Sequence, residues 1–130
     1  MAEHDNAQLV RRYFEAVHRD PSETAELYHP GATLHYSGTH RLSGDHRGVD
    51  AVLDLFRLSR EAFHGTQRLE VHDVLADDEH AVALLAASAE LDRQRIHWHR
   101  VVVFHASAGR ITEQWIVDAD QPLVDAIVGR

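Results

Sequence analysis

Apolar positions recur along the chain in two rhythms. Leu9, Val10, Tyr13, Phe14 and Val17 step at i, i+3 and i+4, the stripe of an amphipathic helix, and Asp5 stands where an N-cap is expected. Asp20-Pro21-Ser22 ends that helix and opens a second, short one through Ala25, Leu27 and Tyr28, with Pro21 or Ser22 near its first turn. His29-Pro30-Gly31 reads as a turn. Ala32 to Tyr36 then alternates as a strand with Leu34 and Tyr36 on one side. A polar loop, SGTHRLSGDHRG, leads into a third helix from Val49 to about Phe63, with Val52, Leu53, Phe56 and Phe63 as its apolar face.

Beyond His64-Gly65 the period drops to two. Four strands are predicted, Gln67–Leu75, His80–Leu91, Arg95–Ala106 and Arg110–Asp118, parted by ADDE, LDRQ and ASAG, each short enough for a hairpin. DQPLVDAIV closes the chain as a short terminal helix with Pro122 in its first turn. This order predicts an α+β fold, helices packed on one face of a curved antiparallel sheet, in one domain spanning residues 1–130.

Composition narrows the chemistry. With 44% apolar residues the 130-residue chain has the makings of one core. The absence of cysteine removes disulfides, zinc-thiolate sites and thiol nucleophiles. All 13 basic residues are arginine, so Schiff-base chemistry and lysine bases are excluded as well. A net charge of −8 argues against nucleic-acid binding, which needs clustered cations. No 18-residue apolar run occurs and the polar N-terminus lacks the pattern of a secretory signal, so no membrane attachment is expected and a cytoplasmic location is.

The stretch HWHRVVVFH, His97 to His105, carries the most polar chemistry. Alternation puts Trp98, Arg100, Val102, Phe104 and Ala106 on one strand face and His97, His99, Val101, Val103 and His105 on the other. Two large aromatics suit the interior, so the arginine face is expected inward. His97-x-His99 has a metal-ligand spacing, but His105 lies roughly 20 Å away along the same strand. No third ligand is evident, and no metal or other cofactor is expected. A guanidinium facing a core needs a partner. Arg100 should therefore meet a carboxylate such as Asp118 or Asp73, or else line a cavity.

Several phrases together, LVRRYFEAV, LYHPGATLHYSG, GVDAVLDLF, EVHDVLADDEHAVAL and VVVFHASAGRITEQWIVDADQ, resemble the SnoaL-like branch of the nuclear transport factor 2-like superfamily over essentially the whole chain. Ketosteroid isomerases, limonene epoxide hydrolase and polyketide cyclases are relatives within it. The resemblance implies a cone-shaped, cystatin-like α+β barrel with a deep apolar pocket, often dimeric through the outer face of its sheet. Tyr13 matches the isomerases' oxyanion-donating tyrosine, whereas their general base falls on Tyr36 and their second acid near Val102. The cyclases' aspartate and histidine fall on Ile116 and Val102. An epoxide-hydrolase-like Arg/Asp/Asp cluster could be rebuilt only from Arg100, Asp118 and Asp120.

The expected catalytic set is therefore Asp118, Arg100 and Tyr13. Tyr36, Trp98, Val102, Phe104, Gln114, Ile116 and Phe56 are the expected substrate pocket. For Asp118 a second use, as N-cap of the terminal helix, stands beside the role of pocket base; Asp120 is a candidate cap too. His40, His46 and Arg47 fall in the loop before the third helix, near the expected cavity entrance or simply in solvent. Trp115, alternating with Ile111, Glu113 and Val117, is expected on the outer face as a dimer contact. Two functions are carried forward. One is a cofactor-free cyclase, isomerase or hydrolase acting on an apolar, oxygenated, polyketide-like metabolite. The other is a non-catalytic binding or accessory protein.

Overall fold

The structure, a computed structural model, describes residues 3–129. Helix α1, Asp5–Arg19, starts one residue earlier than Asp5 suggested: His4 is the N-cap, its Nδ1 accepting from the Asn6 amide at 3.0 Å. Asp5 falls instead in the first turn, where a carboxylate complements the helix dipole. Asp20 ends α1 by donating its amide to the Ala16 carbonyl, and its side chain accepts from the Ser22 amide to begin a 3-10 helix, Pro21–Leu27.

Strand β1, Tyr28–Tyr36, absorbs the predicted His29-Pro30-Gly31 turn. Its pairing jumps from Tyr28 to Thr33, and this irregular stretch is a place where proline, which has no N–H to give a ladder, is tolerated. Strand β2, Gly44–Arg47, lies in the segment expected to be loop; its sequence GDHR has no apolar alternation to announce it. Helix α2, Val49–Ala62, buries Val52 and Leu55, with Phe56 partly buried against the core. Strands β3 (Arg68–Ala76), β4 (His80–Leu91), β5 (Gln94–Ser107) and β6 (Arg110–Asp118) follow, then α3, Gln121–Val128. Asp120 caps α3, its carboxylate accepting from the Leu123 amide, so Asp118 is free of that duty.

The six strands form one curved sheet in the order β2-β1-β6-β5-β4-β3. It is mixed rather than purely antiparallel, because β1 runs parallel to β6. That pairing is reachable only because most of the chain forms the connection between them, as parallel neighbours require a crossover. Helix α1 packs against β3 and β4, and α2 against β1 and β2, so the two helices share the inner face. The β5 alternation places Trp98, Arg100, Val102, Phe104 and Ala106 inside. On β6 the register shifts between His105 and Ala106, a bulge at Thr112, so Ile111 is buried rather than outward beside Glu113 and Trp115.

The loop after β1 is tied to α3. Ser37 Oγ donates to Gln121 Oε1, and Asp125 accepts from the Thr39 amide and hydroxyl. Gly38, at φ +98°, runs so close that a Cβ there would stand 2.2 Å from Gln121 Nε2. His40 is consequently buried rather than solvated.

Candidate functional site

A cavity of about 340 Å³ opens between the two long helices and the inner face of the sheet, within the size range of small-molecule sites. Its floor is made of buried residues: Tyr13, Tyr36, Leu85, Arg100, Val102, Gln114 and Ile116. His18, Arg19, Arg60 and Gly65, all exposed, form the rim at the C-terminal ends of α1 and α2.

Two hydrogen-bond trains set the polarity of the floor. In the first, the Tyr28 hydroxyl donates to Gln114 Oε1, and Gln114 Nε2 donates to the Tyr13 hydroxyl oxygen at 3.0 Å. With its oxygen thus occupied, Tyr13 has its own proton to present to the cavity it lines. In the second, Asp118 Oδ1 accepts from Trp98 Nε1 at 2.9 Å and Arg100 Nε at 2.7 Å, and Arg100 Nη2 donates to the Tyr36 hydroxyl at 2.7 Å. Tyr36 is left with a free proton for the same reason.

Burial pushes the Tyr13 and Tyr36 phenols above their ordinary value, and Tyr28 well above it, so all three stay protonated at neutral pH. Burial works against the charge on Arg100. Tyr36 and Asp118 overcome that and hold it above the ordinary arginine value, a permanent cation. The floor is a set of hydrogen-bond donors, suited to a carbonyl or oxyanion.

Of the residues expected from the sequence, Tyr13, Tyr36, Phe56, Arg100, Val102, Gln114 and Ile116 line the cavity. Trp98, Phe104 and Asp118 do not. Trp98 stacks on Phe63 with ring centroids 5.8 Å apart and spends its indole N–H on Asp118. Phe104 is wholly buried, edge-on to Tyr13 and Phe14. The Asp118 carboxylate, with no exposed side-chain surface, is enclosed behind Arg100 and hydrogen-bonded to its guanidinium. Asp73, the other partner considered for Arg100, instead accepts from the Val74 amide.

Tyr28 was not expected in the site. It reads in sequence as the end of a short helix, and its partner Gln114 lies 86 residues away. His40, expected near the cavity entrance or in solvent, is buried instead. Its Nδ1 accepts from the Leu42 amide at 3.1 Å, its ring meets Tyr36 edge-on at 4.7 Å, and burial lowers its pKa. Outside the sheet, His35 bonds Asp45 through Nδ1 and Glu113 through Nε2, both at 2.6 Å, and stacks on Trp115. His97 and His99 are exposed on the same outer side. Among the described residues no helix is long and apolar enough to cross a membrane.

The family model described as SnoaL-like domain matches residues 10–114. An uncharacterized protein of Mycobacterium tuberculosis is 29% identical over 114 residues, covering 86% of this chain and 87% of its own. The structure of Bal32a, from a soil-derived mobile gene cassette, superposes with a TM-score of 0.88 at 26% identity, over 96% of this chain and 97% of its own. A candidate SnoaL-like polyketide cyclase from Jannaschia sp. CCS1 shares the fold, with a TM-score of 0.80 at 15% identity over 100% and 99% of the two chains.

Proposed function

This chain belongs to the SnoaL-like domain family, and we propose that its cavity takes an apolar, oxygenated metabolite of polyketide type and polarises a carbonyl of it in cofactor-free cyclase or isomerase chemistry. The observation that carries this reading is the direction of the Tyr28–Gln114–Tyr13 train, which leaves the Tyr13 proton available to a ligand oxygen. Tyr36, braced by Arg100, is a second donor on the same floor. Phe14, Phe56 and Leu55 supply an apolar wall for a flat body. Donors fixed before the ligand arrives stabilise charge that develops on an oxygen, and one such donor contributes about 10²–10³ in rate. The fold shared with a candidate polyketide cyclase supports the choice of substrate type.

A non-catalytic binding protein is the second reading, favoured by one observation: among the described residues no carboxylate lines the cavity and no histidine reaches its floor. A proton leaving carbon would then have only water or the substrate itself as acceptor. Exchange of α-protons of 1-tetralone in D₂O, followed by NMR, separates the two. Accelerated exchange that falls about a hundredfold in Tyr13→Phe, with binding kept within a few-fold, supports the enzyme. Binding without acceleration supports the binding protein, and no binding removes both.

The outer face of the sheet suggests its own partner. Val101, Val103 and Trp115 are partly exposed there and Val117 is 45% exposed, an apolar surface we propose is covered by a second copy of the chain.

A further inference from the structure

The chain holds 21 carboxylates and 13 arginines, yet the cavity wall inverts that balance. Arg19, Arg60 and Arg100 line it with His18, and among the described residues no Asp or Glu does. Arg100 is neutralised by Asp118 beneath it. Arg19 spends Nε and Nη2 on Glu23, leaving Nη1. Arg60 has no ion pair among the described residues, and Gln67 Nε2, on the same wall, is buried without a hydrogen-bond partner.

The last turns of α1 and α2 offer one account of these cations, since helix C-terminal carbonyls favour positive charge. That account explains the arginines but not the missing carboxylates. Asp20, Glu23 and Glu61 flank the same turns in sequence, yet their carboxylates are taken up by Ser22, Arg19 and Arg57, and none of the three lines the cavity. With Arg19 and Arg100 each paired to a carboxylate, Arg60 is the cation of this wall with no ion pair among the described residues, and it puts a net positive potential at the rim, above a floor of donors. Arginine also grips a planar carboxylate through two parallel hydrogen bonds, where an ammonium would supply a point charge.

We propose that the ligand is an organic anion: an aromatic or apolar body bearing a carboxylate, with the body on the floor and the carboxylate held at the rim by Arg60 and the free edge of Arg19. The proposal rests on the cavity being a ligand site, as set out above, and adds the charge of the ligand. It gives the rim a selective role, admitting acids in preference to neutral molecules of the same shape.

The test compares 2-naphthoate with 2-naphthamide, equal in shape and different in charge, by titration against wild-type protein and Arg60→Gln, an exposed position whose exchange leaves the core untouched. Naphthoate is expected to bind about tenfold tighter than the amide at low salt, with the preference shrinking as salt screens the rim. Arg60→Gln should weaken naphthoate several-fold and leave the amide unchanged. Equal or tighter binding of the amide overturns the anion proposal while the cavity reading stands. An Arg60→Gln effect on stability alone, with the ligand preference intact, assigns Arg60 to the helix end and also overturns it. Failure of both compounds to bind overturns the cavity reading and the proposal together.

Discussion

Arg100 faces two ways, and substitutions there read both. Its side chain is 5% exposed and that of Asp118 not at all, so removing either charge strands the other away from water. Arg100→Met is expected to destabilise the protein by about 3–5 kcal/mol, measured by urea unfolding. Arg100→Met with Asp118→Asn should regain most of that loss, because asparagine still accepts from Trp98 but needs no cation. A double variant no more stable than the single one would show that the loss is one of packing. Two histidines give stability opposite pH dependences. The hydrogen bond to Asp45 first, against the effect of burial, and the bond to Glu113 next raise the pKa of His35. Its contribution is therefore full below the ordinary histidine value of about 6.5 and is lost as pH rises through the folded-state value. Burial lowers the pKa of His40, with Asp125 and Asp118 opposing and Arg100 assisting. The unfolded chain then takes up that proton more readily, so stability falls as pH drops below about 6.5. Urea midpoints between about pH 5 and 8.5 should lose their alkaline decline in His35→Gln and part of their acid decline in His40→Asn. Unchanged profiles would place both rings outside the linkage.

Elements with a clean period were legible in the sequence, and those held by distant partners were not. The alternation of β5 announces its inner face correctly through five residues, and the stripe of α1 announces Tyr13. GDHR carries no apolar rhythm, so β2 is recruited to the sheet edge only by pairing with β1. The bulge at Thr112 shifts β6 by one residue, and that alone takes Ile111 from the outer to the inner side. The hydrogen bonds that orient Tyr13, Gln114 and Tyr36 join residues 101, 86 and 64 positions apart, beyond any local pattern. Asp118 could be read as base or cap from sequence; the cap is Asp120, and Asp118 is enclosed behind Arg100. The loop after β1 is likewise defined by what it touches. Gly38→Ala should cost about 1–3 kcal/mol, because the positive φ is strained for alanine and the new methyl meets Gln121. A thermal unfolding midpoint within error of wild type would mean that the loop shifts freely off α3.

At the scale of the molecule, the outer face of the sheet should decide the assembly. Sedimentation at micromolar concentration is expected to show a homodimer, its contact covering Val101, Val103, Trp115 and Val117. A monomer throughout would leave Val117 and its neighbours as ordinary surface. The parallel pairing of β1 with β6 has a kinetic side. Leu34 sits beside Gln114, about 80 residues on, so closing the floor carries a large loop-closure entropy and belongs late in folding. Helices and the β3–β6 hairpins can form from near neighbours; the donors of the cavity cannot. Newly made chains would therefore pass through states that own most of their secondary structure and no binding site, and ligand affinity would appear only with the last long-range contact.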